Sequence, residues 1–186
     1  MSTIFTTPGA TLDPGAMSAP CAEQIDGEGR LISVTFESAP VQAAAAAADR
    51  WLVALDGSGH SMHALAMAVR LAAESGTHAL DLVNVQHWLS KEAAEIELPQ
   101  RGWTAATDAC ALLDARGLGW RLHVWMGEPA ARIVELAETL GSRGIVIGAR
   151  GLTAGEALLL GSVAQQVIHT THGAVLIVRS PEASKE

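Results

Sequence analysis

A glycine-rich segment in the second half of the chain has the clearest potential for chemistry. Gly148, Arg150 and Gly151 stand in the sequence GARG, and after nine intervening residues come Gly161 and Ser162. Glycines bring backbone N–H groups close to an anion, and a helix beginning at Ser162 would add a dipole that favours phosphate. Arg150 is the one obvious cation beside the loop, and the Ser162 hydroxyl can cap the helix or reach a phosphate. The pattern predicts a phosphate-binding loop.

The same residues also fit a plainer interpretation. Glycine is common in this chain, with 18 copies, so a strand-to-helix turn with ordinary glycines and a serine cap would have the same appearance. The predicted location favours the functional interpretation, because the segment lies at the mouths of two consecutive strand–helix units.

A second candidate is Asp56, which follows the apolar run of residues 51–55 and begins an Asp-Gly-Ser turn. A carboxylate at the end of a strand can bind a hydroxyl group or Mg²⁺, and it can equally start an Asx turn. His60 and His63 lie three residues apart at the start of a predicted helix. Two imidazoles are two ligands rather than a metal site, so we interpret these histidines as solvated helix residues.

The composition excludes several other kinds of site. Ten arginines stand against only two lysines, Lys91 and Lys185, and tyrosine is absent, so P-loop, Schiff-base and tyrosine chemistry have no support. Cys21 and Cys110 form no CxxC pair, which favours a reduced, cytoplasmic setting. A formal net charge of -8 argues against capture of nucleic acid or anionic membrane. No apolar run is long enough to span a membrane.

The segments that would position these residues alternate between short apolar runs and helical patterns. Strands are predicted over residues 51–55, 79–85, 120–125, 144–147 and 174–178, and helices over residues 61–74, 104–116, 130–140 and 162–171. The order βαβαβαβαβ predicts a three-layer, doubly wound α/β domain with a parallel sheet. Ligands of such sheets bind outside the carboxyl ends of the strands. The loops after Leu55, Val85, Trp125 and Ile147 are therefore the predicted site.

The ends of the chain differ in composition from this region. Residues 1–49 are predicted to form a flexible N-terminal extension, in which residues 31–36 alternate well enough for one short strand. Residues 1–20 lack the basic and apolar parts of a secretory signal. Residues 181–186 are predicted to be a C-terminal tail.

In the order and content of these segments the chain resembles the universal stress protein family. GARG, nine residues and GSV resemble the GxxG-x9-G(S/T) pattern of the family's ATP-binding branch. VALDGSGHSMHALAMAVRLA resembles its first strand, turn and helix, MGEPAARIVELAE its third turn and helix, and SVAQQVIHTTHGAVLIVR its closing helix and strand. The resemblance covers residues 50–180 and implies a five-stranded parallel sheet in the order 3-2-1-4-5.

The resemblance also implies a bound nucleotide, ATP or its ADP or AMP forms, with Mg²⁺ as an accompanying ion. Ala54 and Asp56 would lie beside the nucleoside, with Asp56 near the ribose or the metal, and Val85 would meet adenine through its backbone. Met126 and Gly127 would lie near the ribose, although a methionine in this context favours core packing. The residues that would cradle the phosphates are Gly148, Arg150, Gly151, Gly161, Ser162 and Val163. Residues 152–160 carry no cation, which should weaken triphosphate binding.

Three classes of function stay open. The first is a nucleotide-binding regulatory module of the stress response that passes its signal to a protein partner, with little or no catalysis. The second is a slow ATPase or nucleotidyl-transfer enzyme on the same fold, for which Glu128 and His87 are candidate bases without an evident partner. The third is a ligand-free dimerisation module. The apolar last strand, residues 174–178, would be a sheet edge, and the resemblance implies a homodimer through it.

Overall fold

The structure, a computed structural model, describes residue 17 and residues 19–38, 50–150 and 160–180. Its seven strands are β1 (Ala22–Ile25), β2 (Leu31–Glu37), β3 (Trp51–Ala54), β4 (Ala79–Gln86), β5 (Gly119–Met126), β6 (Gly144–Gly148) and β7 (Val175–Val178). Its four helices are α1 (Gly59–Ser75), α2 (Lys91–Asp114), α3 (Pro129–Leu140) and α4 (Ser162–Thr170).

The seven strands form one sheet in the order β1-β2-β5-β4-β3-β6-β7. The five strands from β3 onward pair in parallel, and their order is the predicted 3-2-1-4-5. The predicted α/β fold class is therefore confirmed. The prediction of a five-stranded sheet is wrong in strand number, because a hairpin of β1 and β2 extends the sheet antiparallel to β5.

The hairpin also differs from the flexible extension expected for residues 1–49. The expected strand over residues 31–36 is present as β2, but residues 22–25 form a second strand that was not predicted. Asp26 Oδ1 accepts hydrogen bonds from the backbone N–H groups of Glu28 and Arg30 at 3.0 and 2.9 Å, which fixes the turn. Val34 and Phe36 of β2 are fully buried, so this strand of the hairpin is part of the core.

Each face of the sheet carries its own hydrophobic cluster. On one face α1 packs against β3, β6 and β7 and α2 against β2, β4 and β5, and on the other α3 packs against β4 and β5 and α4 against β7. Apolar positions of the parallel strands are divided between the two clusters; for example, Leu82 belongs to the first and Val83 to the second. Right-handed crossovers that place helices on both faces explain why the central strands are apolar throughout.

Helix α2 begins earlier than predicted. The sequence indicated a helix from residue 104, whereas the structure starts it at Lys91, with Ser90 as N-cap, and carries it through Pro99. Gly102 lies so close to β5 that an added Cβ would stand 2.3 Å from two carbons of Val124. This glycine lets the helix approach the strand, and Trp103 packs edge-on against Phe36 with ring centroids 5.3 Å apart. Tertiary packing thus outweighs the local helix-breaking residues.

Candidate functional site

A cavity of about 380 Å³ opens at the carboxyl ends of β3, β4 and β6. This is the edge at which a doubly wound sheet binds ligands. Its lining includes eight of the eleven residues that the sequence singled out: Ala54, Asp56, Val85, Gly148, Arg150, Gly161, Ser162 and Val163.

The first wall is the turn that follows β3. Asp56 Oδ1 accepts a hydrogen bond from the Ser58 N–H at 3.0 Å, which is the Asx turn considered from the sequence. Ser58 then caps α1, because its Oγ accepts from the N–H of Ser61 at 3.2 Å. Asp56 also lines the cavity, so turn formation and contact with a ligand are both open to this carboxylate.

The second wall is the end of β4, which continues beyond β3. The last β3–β4 pair is Ala54 with Val83, and the N–H of Leu55 donates to the carbonyl of Val83 at 2.8 Å. In a parallel ladder, alternate residues direct their backbone groups to the same side. Val85 therefore directs its N–H and carbonyl past the end of β3, into the cavity that it lines.

A chain of amide side chains reinforces this wall. Asn84 is buried, and its Nδ2 donates to the carbonyl of Leu55 at 2.9 Å. Gln86 Nε2 donates to Asn84 Oδ1 at 2.6 Å. Because a carbonyl only accepts, these two hydrogen bonds determine the orientation of both amide groups. Asn84 and Gln86 both line the cavity, and Gln86 Oε1 is an acceptor on this wall.

The third wall is formed by β6 and the start of α4. Gly148 has no room for a side chain, since an added Cβ would stand 2.9 Å from the His60 carbonyl oxygen and 3.1 Å from that of Arg150. The N–H of Gly161 donates to the carbonyl of Ala149 at 2.7 Å and brings the two ends of the glycine-rich segment together. Gly151, the remaining member of the predicted phosphate loop, lies outside the described residues, as do residues 152–159.

Of the two roles considered for Ser162, capping the helix is not observed. The N-cap of α4 is Gly161, which has no side chain to form a cap bond, and Ser162 is the first helical residue. The first N–H groups of a helix have no acceptor within it, so the N-terminus of α4 directs N–H donors and a partial positive charge toward the cavity. The exposed Ser162 hydroxyl stands beside them.

Met126 and Gly127 are not among the residues that line the cavity, and their implied position near a ribose stays a prediction. Met126 is fully buried, in agreement with the core packing that its residue type favours. Its sulfur accepts a hydrogen bond from the N–H of Leu89 at 3.4 Å. Gly127 has a φ of 137°, and its N–H donates to the Gln86 carbonyl at 2.9 Å. Through these hydrogen bonds both residues stabilise the end of β4 and the loop that follows it.

The hairpin reaches this wall as well. The Arg30 guanidinium carbon stands 5.7 Å from the ring centroid of Trp88, and Lys91 Nζ donates to the carbonyl of Glu28 at 3.0 Å. Trp88 belongs to the connection between β4 and α2 and directly follows His87, which lines the cavity, and Lys91 is the first residue of α2. The turn of the hairpin thus holds the loop at one end of the cavity.

Sequence reasoning missed several lining residues. Asn84, Gln86 and Ser61 lie on elements that were predicted, but their side chains carried no motif, and only the carboxyl-end rule pointed to their position. Ile133 and Ile147 make part of the cavity apolar, as a base or a ribose face requires. His87, considered from the sequence as a candidate base, lies on the wall.

The charge of the site is sparse. Among the described lining residues the formal charges are Asp56 and Arg150. No group of three or more His, Cys, Asp or Glu side chains within the described ranges could hold a metal ion. A metal at Asp56 would therefore need oxygen ligands from a bound phosphate and from water.

The model of the universal stress protein family matches residues 48–179. The chain belongs to this family. A universal stress protein of Methanocaldococcus jannaschii is 32% identical over 139 residues, which are 70% of this chain and 82% of that protein. The match begins after the β1–β2 hairpin, so the hairpin is an addition of this chain to the family domain.

Solved structures agree with the fold. The universal stress protein UspA of Lactobacillus plantarum superposes with a TM-score of 0.59 at 20% identity, over 73% of this chain and 100% of that one. A universal stress protein crystallised in complex with cAMP superposes with a TM-score of 0.56 at 28% identity, over 73% of this chain and 100% of its own. Within the described residues, no helix is both long and apolar enough to cross a membrane.

Proposed function

We propose that this universal stress protein binds an adenine nucleotide in the cavity at the carboxyl ends of β3, β4 and β6. The observation that carries the proposal is the meeting of two complementary walls. The Val85 backbone offers a donor and an acceptor that no β3 residue reaches, and across the cavity lie Gly148 and the N-terminus of α4. The first wall suits the edge of a base, and the second suits a phosphate.

The family member crystallised with cAMP supports a nucleotide as the ligand class. The GxxG-x9-G(S/T) spacing supports the further proposal that this chain belongs to the ATP-binding branch of the family. Because Arg150 is the one described cation among the lining residues, we expect binding to depend less on the number of phosphates than in a lysine-rich site. AMP, ADP and ATP should bind within about tenfold of one another, a spread of about 1.4 kcal/mol.

The proposed role is regulatory. Nucleotide binding in the cavity changes the assembly of the protein or the surface that a protein partner in the cytoplasm binds, with little or no hydrolysis of the nucleotide. A homodimer through β7 belongs to the same proposal. β7 pairs with β6 on one side, and among the described strands it is the edge of the sheet on the other. Its apolar residues Val175, Leu176 and Ile177 are only partly buried. Such an edge favours pairing with another strand.

The test is to identify any nucleotide that co-purifies with the protein and to measure thermal stabilisation by AMP, ADP and ATP with and without Mg²⁺. Gly161→Val should abolish the stabilisation by placing a side chain where the phosphates approach. Gly161 has φ -71° and ψ 153°, a conformation that valine adopts, so this variant should fold. Gly27→Val is the matched control, because an added Cβ there meets nothing within 4 Å. A folded protein with no bound nucleotide and no shift would contradict the proposal and favour the ligand-free dimerisation module.

A further inference from the structure

The β1–β2 hairpin contacts the loop of residues 87–90, which connects β4 to α2 at one end of the cavity. His87 lines the cavity, and the side chains of His87 and Trp88 are both exposed. Burial therefore does little to hold this part of the loop, and segments with few buried contacts open easily. The hairpin lies outside residues 48–179, which match the family model, so its contacts with the loop are an addition of this chain.

The loop is fixed to the core on both sides of His87 and Trp88. On the β4 side, the Gln86 carbonyl accepts a hydrogen bond from the N–H of Gly127 at 2.9 Å. On the α2 side, Leu89 packs against the hydrophobic cluster beneath α1 and α2. Between these two points the hairpin contacts the loop at Trp88, directly beside the residue that lines the cavity.

The hairpin turn itself directs Arg30 toward Trp88. Asp26 Oδ1 accepts a hydrogen bond from the N–H of Arg30 at 2.9 Å, and Arg30 Nη2 donates to Glu28 Oε2 at 3.1 Å. The guanidinium carbon then stands 5.7 Å from the centroid of the Trp88 ring. A cation at this distance from an indole is attracted to its face. Arg30 therefore restrains Trp88 when the turn is formed, and releases it when the turn opens.

Lys91 makes a second contact between the loop region and the hairpin. This residue is the first of α2, and its Nζ donates to the carbonyl of Glu28 at 3.0 Å. Gly29 leaves the space for the ammonium group, because an added Cβ would stand 2.8 Å from Nζ. The φ of Gly29, 76°, also lies in the left-handed region that favours glycine. The turn thus accommodates Lys91 and attaches the start of α2 to the hairpin.

We propose that Arg30 and Lys91 are positioning residues for nucleotide binding. They fix the loop at Trp88 and at the start of α2, and so hold His87 on the cavity wall. The inference rests on the proposed function, since the ligand is the nucleotide in the cavity. Coupling of this kind is reciprocal. The factor by which the docked hairpin raises nucleotide affinity is the factor by which a bound nucleotide favours the docked hairpin.

The first experiment measures AMP binding to the full chain and its variants by calorimetric titration, after thermal unfolding has shown that each variant is folded. Lys91→Met removes the donor and the charge but keeps the length of the side chain, and it should weaken AMP binding about threefold. Addition of Arg30→Gln should bring the loss to about tenfold. Lys91→Arg keeps a donor and the charge, and it should bind AMP with the wild-type Kd.

Arg101→Gln is the matched control for charge. Arg101 forms an ion pair with Glu97 on the exposed side of the same helix, and neither residue lines the cavity. This variant changes the net charge as Lys91→Met does but leaves the hairpin contacts intact. It should therefore bind AMP with the wild-type Kd.

The second experiment measures the reciprocal effect by amide hydrogen exchange. The N–H of Gly29 donates to the carbonyl of Asp26 at 3.0 Å, and that of Arg30 donates to Asp26 Oδ1, so exchange at both amides reports opening of the turn. Saturating AMP should slow both by about the factor of affinity that the double variant loses. A hairpin with a structural role alone would exchange at the same rate with and without AMP.

The outcomes separate this inference from the proposed function. A folded double variant with the wild-type Kd for AMP, or hairpin amides whose exchange AMP leaves unchanged, would overturn the inference while the proposed function stands. An equal loss of affinity in Arg101→Gln and Lys91→Met would also overturn it, because net charge would then explain the effect. Equal losses in Lys91→Arg and Lys91→Met would do the same. If the unaltered chain does not bind AMP, the proposed function fails and the inference with it.

Discussion

Replacing Gly148 by alanine is the perturbation whose consequence the structure specifies most closely. The added Cβ would stand 2.9 Å from the carbonyl oxygen of His60, 3.0 Å from its carbonyl carbon and 3.1 Å from the carbonyl oxygen of Arg150. All three atoms belong to the backbone, so no side-chain rotation relieves the contact. Overpacking of this kind costs about 1–3 kcal/mol.

Gly102 and Gly27 provide controls for the stability effect of the Gly148 substitution. In a domain of this size each kcal/mol lowers Tm by about 2–4 °C, so Gly148→Ala should lower Tm by about 2–12 °C. Gly102→Ala should cause a fall of the same order, because its Cβ would meet Val124 side-chain carbons at 2.3 Å, but it lies away from the cavity. Gly27→Ala should leave Tm unchanged, since nothing lies within 4 Å.

The three variants differ in their expected effect on binding. Gly148→Ala shifts the backbone that forms the cavity wall, so calorimetric titration with AMP should show an affinity at least about tenfold lower, or about 1.4 kcal/mol. Gly102→Ala should bind AMP with the wild-type Kd once the fraction of folded protein is taken into account. Equal Kd values for the Gly148 and Gly102 variants would refute the assignment of β6 to the binding site.

Three further perturbations follow from the structure. Arg30→Gln removes the cation–π contact with Trp88, worth about 0.5–1 kcal/mol, and should speed amide hydrogen exchange in the loop between β4 and α2; unchanged exchange there would contradict the statement that the hairpin turn holds this loop. Burial raises the pKa of Cys110 to about 12, and desolvation followed by the Glu37 charge raises that of Cys21, so both thiols are neutral at pH 7. A maleimide should nevertheless react with the exposed Cys21 alone, slowly, and with both cysteines after denaturation; fast native labelling of Cys110 would contradict the packing of α2. Val175→Pro removes an N–H directed away from β6 and should shift sedimentation equilibrium from dimer to monomer; an unchanged dimer would exclude pairing through β7.

The sequence predicted the parallel part of the fold well, because its strands are apolar on both faces and its helices show a 3.6-residue period. It missed what depends on contacts between distant residues. β1 is an edge strand whose four residues are all exposed, so it has no apolar signature, and it is held by pairing with β2. The first half of α2 contains Pro99 and Gly102, and it is helical because that helix packs on β5.

The candidate site was predictable to the extent that backbone geometry depends on residue type. Gly148 and Gly161 follow from the need for close backbone approach, and Asp56 from the turn after a strand. For Met126 the residue type favoured core packing, and the structure buries the side chain fully. Asn84 and Gln86 could not be found, since their importance comes from hydrogen bonds to a carbonyl 29 residues away and to each other.

The central claim is that a nucleotide bridges the end of β4 at Val85 and the wall formed by β6 and the start of α4. Amide chemical-shift mapping during titration with AMP tests it most directly. The account predicts saturable shifts at Val85 on one wall and at Gly148, Gly161 and Ser162 on the other, at a common Kd. Saturable binding that leaves Val85 and Gly148 unshifted, or shifts confined to residues outside the cavity, would contradict it.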